Sequence, residues 1–159
     1  MTEHIDHEKA AILPFENIAR ENHLIPLKGQ GNDNKIFLGG KLNFQFGDLR
    51  VDTKKHHVVI EVESAGGVTN LVKYWYCLAD KTLSKQILMP IILIHLFRQT
   101  SPNDYKSHLN LWNFMWGEMQ KALVNRIQAF PFVYCELPSG ELSGLEKAIK
   151  EFKKSLTPI

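Results

Sequence analysis

Several features that would settle the class of this chain at a glance are scarce or missing. Its 159 residues include only two cysteines, Cys77 and Cys135. Neither sits in a CxxC or finger-like spacing, so a cysteine-ligated zinc module is not expected; both lie in apolar surroundings and read as buried, reduced thiols rather than a disulfide. The N-terminus carries no basic region followed by an apolar stretch, so no signal peptide is expected. The longest apolar run, residues 87–97, is interrupted by Pro90 and His95. It falls short of the roughly 20 residues that a membrane-spanning helix needs. These absences point to a cytoplasmic protein with no membrane partner. A dominant charge is missing too: 19 basic and 17 acidic residues leave a net +2. That balance does not announce a nucleic-acid binder, although a local basic patch counts for more than the total.

What is present suits a single domain covering 1–159. Hydrophobic residues make up 44% and charged residues 23%, an ordinary globular profile. A chain of this size buries roughly 70% of its unfolded surface. No repeat, low-complexity tract or linker interrupts it. Residues 8–22 place Ile12, Phe15, Ile18 and Ala19 at helical spacing, with Pro14 predicting a kink or a restart. Residues 29–34 read as a loop. From Lys41 the period changes to two: Leu42, Phe44 and Phe46 alternate with Asn43 and Gln45. After Gly47, residues 48–52 alternate again. A polar turn over 53–56 leads into a strand over 57–63.

Thr69 is placed to cap a helix over 70–81. Residues 87–97, apolar at nearly every position, predict a strand covered on both faces. A long helix follows the turn residues 101–104, with Leu109, Trp112, Trp116, Met119, Leu123 and Ile127 on one stripe. Residues 130–137 read as a further strand, where Pro131 suggests an edge or a strand start. The last helix carries Leu142, Leu145, Ile149 and Phe152 inward and Lys147, Lys150, Lys153 and Lys154 outward. The order α-β-β-β-α-β-α-β-α predicts an α/β sandwich, a mixed central sheet flanked by helices.

The chemistry concentrates in residues 48–63. With a two-residue turn at Lys54 and Lys55, Thr53 faces His56 and, counting outwards, Asp48 comes opposite Glu61. Alternation then puts Glu61 and Glu63 on one face and Ile60 and Val62 on the other. Asp48, Glu61 and Glu63 converge at one end of the hairpin. Three carboxylates so close repel one another unless a cation or a proton intervenes. An all-oxygen set favours a hard ion, Mg²⁺ or Mn²⁺, which activates water and polarises a phosphoryl oxygen.

On these residues the chain resembles the PD-(D/E)xK nuclease superfamily, which includes many restriction endonucleases and DNA repair nucleases. Asp48 matches the first acid of the motif and Glu61 the second, while Glu63 stands where the lysine would be, an ExE variant. Gly47 stands where the proline would be. The likeness spans residues 8–97 in element order, and the motif itself spans 48–63. The resemblance implies a restriction endonuclease-like fold and a metal-dependent nuclease that hydrolyses DNA phosphodiester bonds. It implies Asp48, Glu61 and Glu63 as metal ligands, Glu63 alternatively as a group orienting the water. Some members recruit a lysine from the following helix, and Lys73 is the residue here that fits; otherwise it is an ordinary exposed lysine. A first-helix glutamate often completes such a site, and Glu16 is preferred to Glu21 for that place.

Other polar features have plainer readings. Arg50 and Asp52 read as a surface ion pair, His56 and His57 as turn residues, and His95 as a hydrogen-bonded core histidine. The Trp112, Trp116 and Met119 stripe reads as core or dimer interface rather than a base-stacking platform. The C-terminal lysines read as a solvated face. A chain with no separate reader module would grip DNA as a homodimer or within a larger complex. The rival is a catalytically degenerate module of the same fold that binds nucleic acid or a protein partner; a Mg²⁺-dependent hydrolase of smaller phosphoesters stands third.

Overall fold

A computed structural model describes residues 2–63, 69–99 and 106–157. Its elements are α1 (Thr2–Glu21), β1 (Leu27–Lys28), β2 (Lys35–Gly39), β3 (Leu42–Gln45), β4 (Leu49–Asp52), β5 (His57–Glu63), α2 (Thr69–Ala79), β6 (Ile91–Gln99), α3 (Lys106–Ala122), β7 (Ile127–Glu136), β8 (Leu142–Ser143) and α4 (Glu146–Leu156). Six strands form one mixed sheet in the order β1-β4-β5-β6-β7-β8, and β2 pairs with β3 apart from it. The β1–β4, β4–β5 and β7–β8 pairs are antiparallel, whereas β5, β6 and β7 run parallel. The protein is therefore an α/β fold.

Period-two alternation divides the core between the two faces of the sheet. Val58, Ile60 and Val62 of β5 join Ile94 and Leu96 of β6 against Ala11, Phe15 and Ala19 of α1 and Ala148 and Phe152 of α4. Val59 of β5 and Leu93 and Phe97 of β6 face the other way, against Leu71, Tyr74 and Leu78 of α2 and Trp112 and Met119 of α3. Burial on both faces explains why β6 reads as a nearly unbroken apolar run. Pro14 lies inside α1, which continues through it to Glu21.

The β4–β5 register is the one that the turn count predicts. Asp52 pairs with His57 and Leu49 with Ile60, while the Thr53 amide donates to the His56 carbonyl. The Thr53 hydroxyl accepts the Lys55 and His56 amides at 3.2 and 3.0 Å, closing the turn.

Other boundaries differ from the sequence reading. The strand of Leu42 and Phe44 belongs to a separate hairpin, whose partner β2 carries no clean alternation (its residues are buried, exposed and half-buried in turn). The side chain of Gln86 clamps that hairpin: its amide oxygen accepts the Phe37 N–H and its NH₂ donates to the Phe37 carbonyl. β6 starts at Ile91, after Pro90, and Leu88 is exposed. Ile127 opens β7 rather than closing α3, and Leu142 lies in β8 rather than α4. Pro131 sits mid-strand, paired with β6 at His95, while β8 covers β7 only at Cys135 and Glu136. A proline is tolerated there because, among the described residues, no strand pairs with the flank of β7 away from β6 at that point.

Gly47 joins the hairpin to β4 at φ 91°, and a Cβ there would lie 2.5 Å from a Val59 methyl and 3.0 Å from the Leu49 carbonyl oxygen. Proline, with φ fixed near −65°, does not fit this position, which gives a physical reason for glycine. Gly47→Ala combines left-handed strain with overlap against a core strand and is expected to lower stability by about 2–5 kcal/mol. Chemical denaturation would check it, and a loss under about 1 kcal/mol would contradict the geometry.

Candidate functional site

β4 and β5 bring Asp48 and Glu61 together where the sheet meets α2. Asp48 immediately precedes β4, and its amide donates to the Glu61 carboxylate (Oε1) at 3.1 Å as well as to the Ile60 carbonyl. Its own carboxylate accepts the Val62 amide at 2.7 Å and the Gln45 side-chain amide at 2.8 Å. Glu61 is 1% exposed. A carboxylate so buried needs donors, and α2 supplies two: Lys73 Nζ reaches Glu61 Oε2 at 2.5 Å and the Tyr74 hydroxyl donates to the same oxygen at 2.9 Å. Lys73 also donates to the Gln45 carbonyl at 2.9 Å and lies 4.8 Å from the centre of the Tyr74 ring.

Burial in this corner raises both acids, and the neighbouring donors and Lys73 oppose it. Burial is the largest influence on Asp48 and pushes its carboxyl up to about 6; the Val62 amide opposes that, and the charge of Glu8 adds to it. Burial raises Glu61 as well, against the opposing pull of Lys73 and with the Asp48 charge adding to the rise. Burial and the neighbouring Glu61 hold the Tyr74 phenol far above its ordinary range, so it acts only as a hydroxyl donor. Cys77, also on α2, is pushed up to about 11 by burial, against the pull of Lys73, and its thiol is correspondingly inert.

Glu63 shares the face of Glu61 but turns to different partners. Its Oε1 accepts the Asn70 amide at 2.6 Å and meets His95 Nε2 at 3.2 Å. Among the described residues no three His, Cys, Asp or Glu side chains form a group arranged for a metal ion. The acids brought together are the pair Asp48 and Glu61, with Glu63 beside them on Asn70 and His95. Glu16 lies elsewhere: its carboxylate pairs with Arg20 and with Lys28, each at 3.0 Å. Burial alone would raise Glu16, but Lys28 and then Arg20 outweigh it and hold it low. The acid of α1 that bears on Asp48 is Glu8 instead, eight residues before Glu16, or about two turns away.

Gln45, Tyr74, Asn70 and Glu8 escaped the sequence reading. Asn70 lies three residues before Lys73 and four before Tyr74 on α2, a helical spacing that only the position of α2 against β5 makes legible.

At the other end of the β4–β5 hairpin lies a second polar cluster, more buried than a surface ion pair. Arg50, 8% exposed, donates to Asp52 at 3.1 Å and to the Asp33 carbonyl at 3.0 Å, and its guanidinium sits 4.4 Å from the Phe46 ring centre. His57 Nδ1 meets Asp52 at 2.7 Å while its Nε2 accepts the Met89 amide. Burial acts to raise Asp52, but His57 and Arg50 prevail and lower it. This cluster ties β4 to β5 and to the connection before β6.

A buried and a half-buried acid side by side on a mixed sheet, the buried one paired with a helix lysine, mark a polar corner of an α/β protein. No family model, curated protein or solved structure gives a significant match to the chain. Among the described residues no helix is long and apolar enough to cross a membrane.

Carboxylate oxygens are the donor type that a hard divalent ion takes. Mg²⁺ binds through one or two carboxylates and keeps several waters or takes phosphate oxygens for the rest. Asp48 and Glu61 are the pair that would hold one, and their oxygens already accept the Gln45 and Val62 amides and the Asp48 amide, Lys73 and Tyr74.

The pH dependence of stability follows from Asp48. Its folded pKa of about 6 exceeds the 3.8 of a free carboxyl, so the folded state binds the proton more tightly. Stability from this group is greatest below about pH 4, falls as pH rises through about 6 and is flat above. The loss is expected to be on the order of 1–3 kcal/mol, and Asp48→Asn should lessen the slope by that amount, leaving the part that the raised Glu61 contributes, as denaturation midpoints across pH 4–7 would report. Lys73→Met leaves the Glu61 charge buried without its cation and should cost about 3–5 kcal/mol at pH 7; a loss below about 1 kcal/mol would mean that the pair is not formed.

Proposed function

We propose that this chain is a metal-dependent nuclease of the PD-(D/E)xK kind, restriction endonuclease-like in fold, that hydrolyses DNA phosphodiester bonds. The observation that carries the reading is the contact of Lys73, on the helix after β5, with Glu61. It supplies, from α2, the ammonium that an ExE motif lacks on the strand. The element order supports it as well: a helix, an antiparallel β4–β5 pair, a helix and a strand parallel to β5.

In this reading Asp48 and Glu61 hold Mg²⁺ or Mn²⁺. The bound ion supplies an acidified water and polarises the phosphoryl oxygen. Lys73 has three N–H donors, of which two go to Glu61 and the Gln45 carbonyl. The third is left for a phosphate oxygen or the attacking water, where a fixed cation stabilises developing negative charge. Glu63 is fixed through one oxygen on Asn70 and His95, which leaves the other to accept a hydrogen bond from that water. Tyr74 keeps Glu61 oriented. A homodimer or larger assembly supplies the remaining grip on the duplex.

A second reading has its own observation. The two oxygens of Glu61 already accept the Asp48 amide, Lys73 and Tyr74, so protein groups satisfy the acid without an ion. That suits a non-catalytic module that keeps the fold and binds nucleic acid or a protein.

Plasmid nicking separates the two. The wild type is expected to nick DNA with Mg²⁺ or Mn²⁺ and to stop in EDTA. Glu61→Gln and Lys73→Met should each lose about 100-fold or more, while Glu16→Gln stays within about threefold, because its partners lie outside the site. Equal nicking by wild type and Glu61→Gln would sink the site assignment. No nicking under any metal, with DNA or metal still raising the wild-type melting temperature, would favour the non-catalytic module.

A further inference from the structure

Glu63 is tied to a buried chain of side chains that runs away from the proposed reaction site into the third helix. Trp112 of α3, 1% exposed, donates its indole N–H to His95 Nδ1 at 3.0 Å. An indole nitrogen can only donate, so Nδ1 is the unprotonated nitrogen of a neutral ring. The ring proton then sits on Nε2, the atom 3.2 Å from Glu63 Oε1. The tautomer of His95 is therefore set by Trp112, and it presents a donor to Glu63. His95 is itself fully buried and packs against Phe97, ring centres 4.4 Å apart and planes tilted by 36°, so its ring has little room to turn away. Trp112 in turn packs on Trp116, ring centres 6.1 Å apart, within the core that α2 and α3 share with the sheet.

We propose that His95 is a positioning residue: with its tautomer fixed by Trp112, it holds Glu63 on the Glu61 face of β5 and thereby ties the geometry of the site to α3. The Asn70 amide alone would leave Glu63 free to swing about a single contact. Two donors converging on one oxygen from α2 and β6 fix the carboxylate plane and direct the other oxygen. The catalytic consequence rests on the nuclease reading; the structural link does not.

The test uses His95→Leu, which removes both hydrogen bonds at similar volume, and His95→Gln, whose amide can donate to Glu63 again. Trp112→Phe keeps His95 but releases its tautomer, and it serves if His95→Leu fails to fold. Two readouts are needed. The first is the Asn70 side-chain amide in NMR, which donates to the same Glu63 oxygen and reports its position without reference to catalysis. Its signals should be slow to exchange in the wild type and in His95→Gln, and lose that protection in His95→Leu and Trp112→Phe. The second is Mn²⁺-supported nicking, where His95→Leu should lower kcat about tenfold or more with KM changed less than about twofold, and His95→Gln should recover most of it. Asn70 signals unchanged in His95→Leu and Trp112→Phe would overturn the link, whatever the activity. A lost link with kcat unaltered would overturn its catalytic importance. A wild type that nicks nothing would remove the nuclease reading and leave the link to be judged on Asn70 alone.

Discussion

The pairing of Glu61 with Lys73 is the constraint on which the rest of the site depends. A carboxylate on an inner strand of a mixed sheet is tolerated only if donors meet it, and here three meet it: the Asp48 amide, Lys73 and Tyr74. Meeting that demand fixes α2 over β5, since Lys73 and Tyr74 are adjacent on the helix and bind one oxygen. It also anchors the hairpin, because Lys73 holds the Gln45 carbonyl and Gln45 in turn donates to Asp48. A group that is costly to bury thus organises three separate elements. Removing one partner is therefore expected to cost more than any surface ion pair in the molecule.

The hairpin of β4 and β5 was legible because its information is local. A polar two-residue turn and strict alternation determine which residues face each other, and Asp48 opposite Glu61 follows by counting. β5 and the burial of β6 on both faces were legible for the same reason. Strands β1 and β8, two residues each, were not, since so short a strand has no period to detect. β2 was missed because its burial does not alternate, and the stripe of α3 ran on to Ile127 because an apolar residue at a strand start looks like one more turn of helix.

The site divides along the same line. That Glu61 and Glu63 share a face is a property of one strand. That they part company, Glu61 to Lys73 and Glu63 to Asn70 and His95, is decided by residues on α2 and β6 with no sequence spacing to reveal them. Which glutamate of α1 bears on Asp48 was not legible because an isolated helix has no mark for which turn meets the sheet; Glu8 bears on Asp48, and Glu16 pairs with Arg20 and Lys28. Arg50 and Asp52 read as an exposed ion pair and His57 as a turn residue because nothing local announces that Phe46 and the connection before β6 close over them.

Pro131 has a consequence for how copies of this chain meet. Beyond Cys135 and Glu136 the outer flank of β7 has no strand partner in the described residues, and an open row of backbone donors and acceptors invites another chain to add a strand. Proline breaks that row by removing one donor. The sheet is guarded there against edge-to-edge aggregation, so any assembly of two copies is steered away from continuing the sheet through β7 and towards contacts made by side chains.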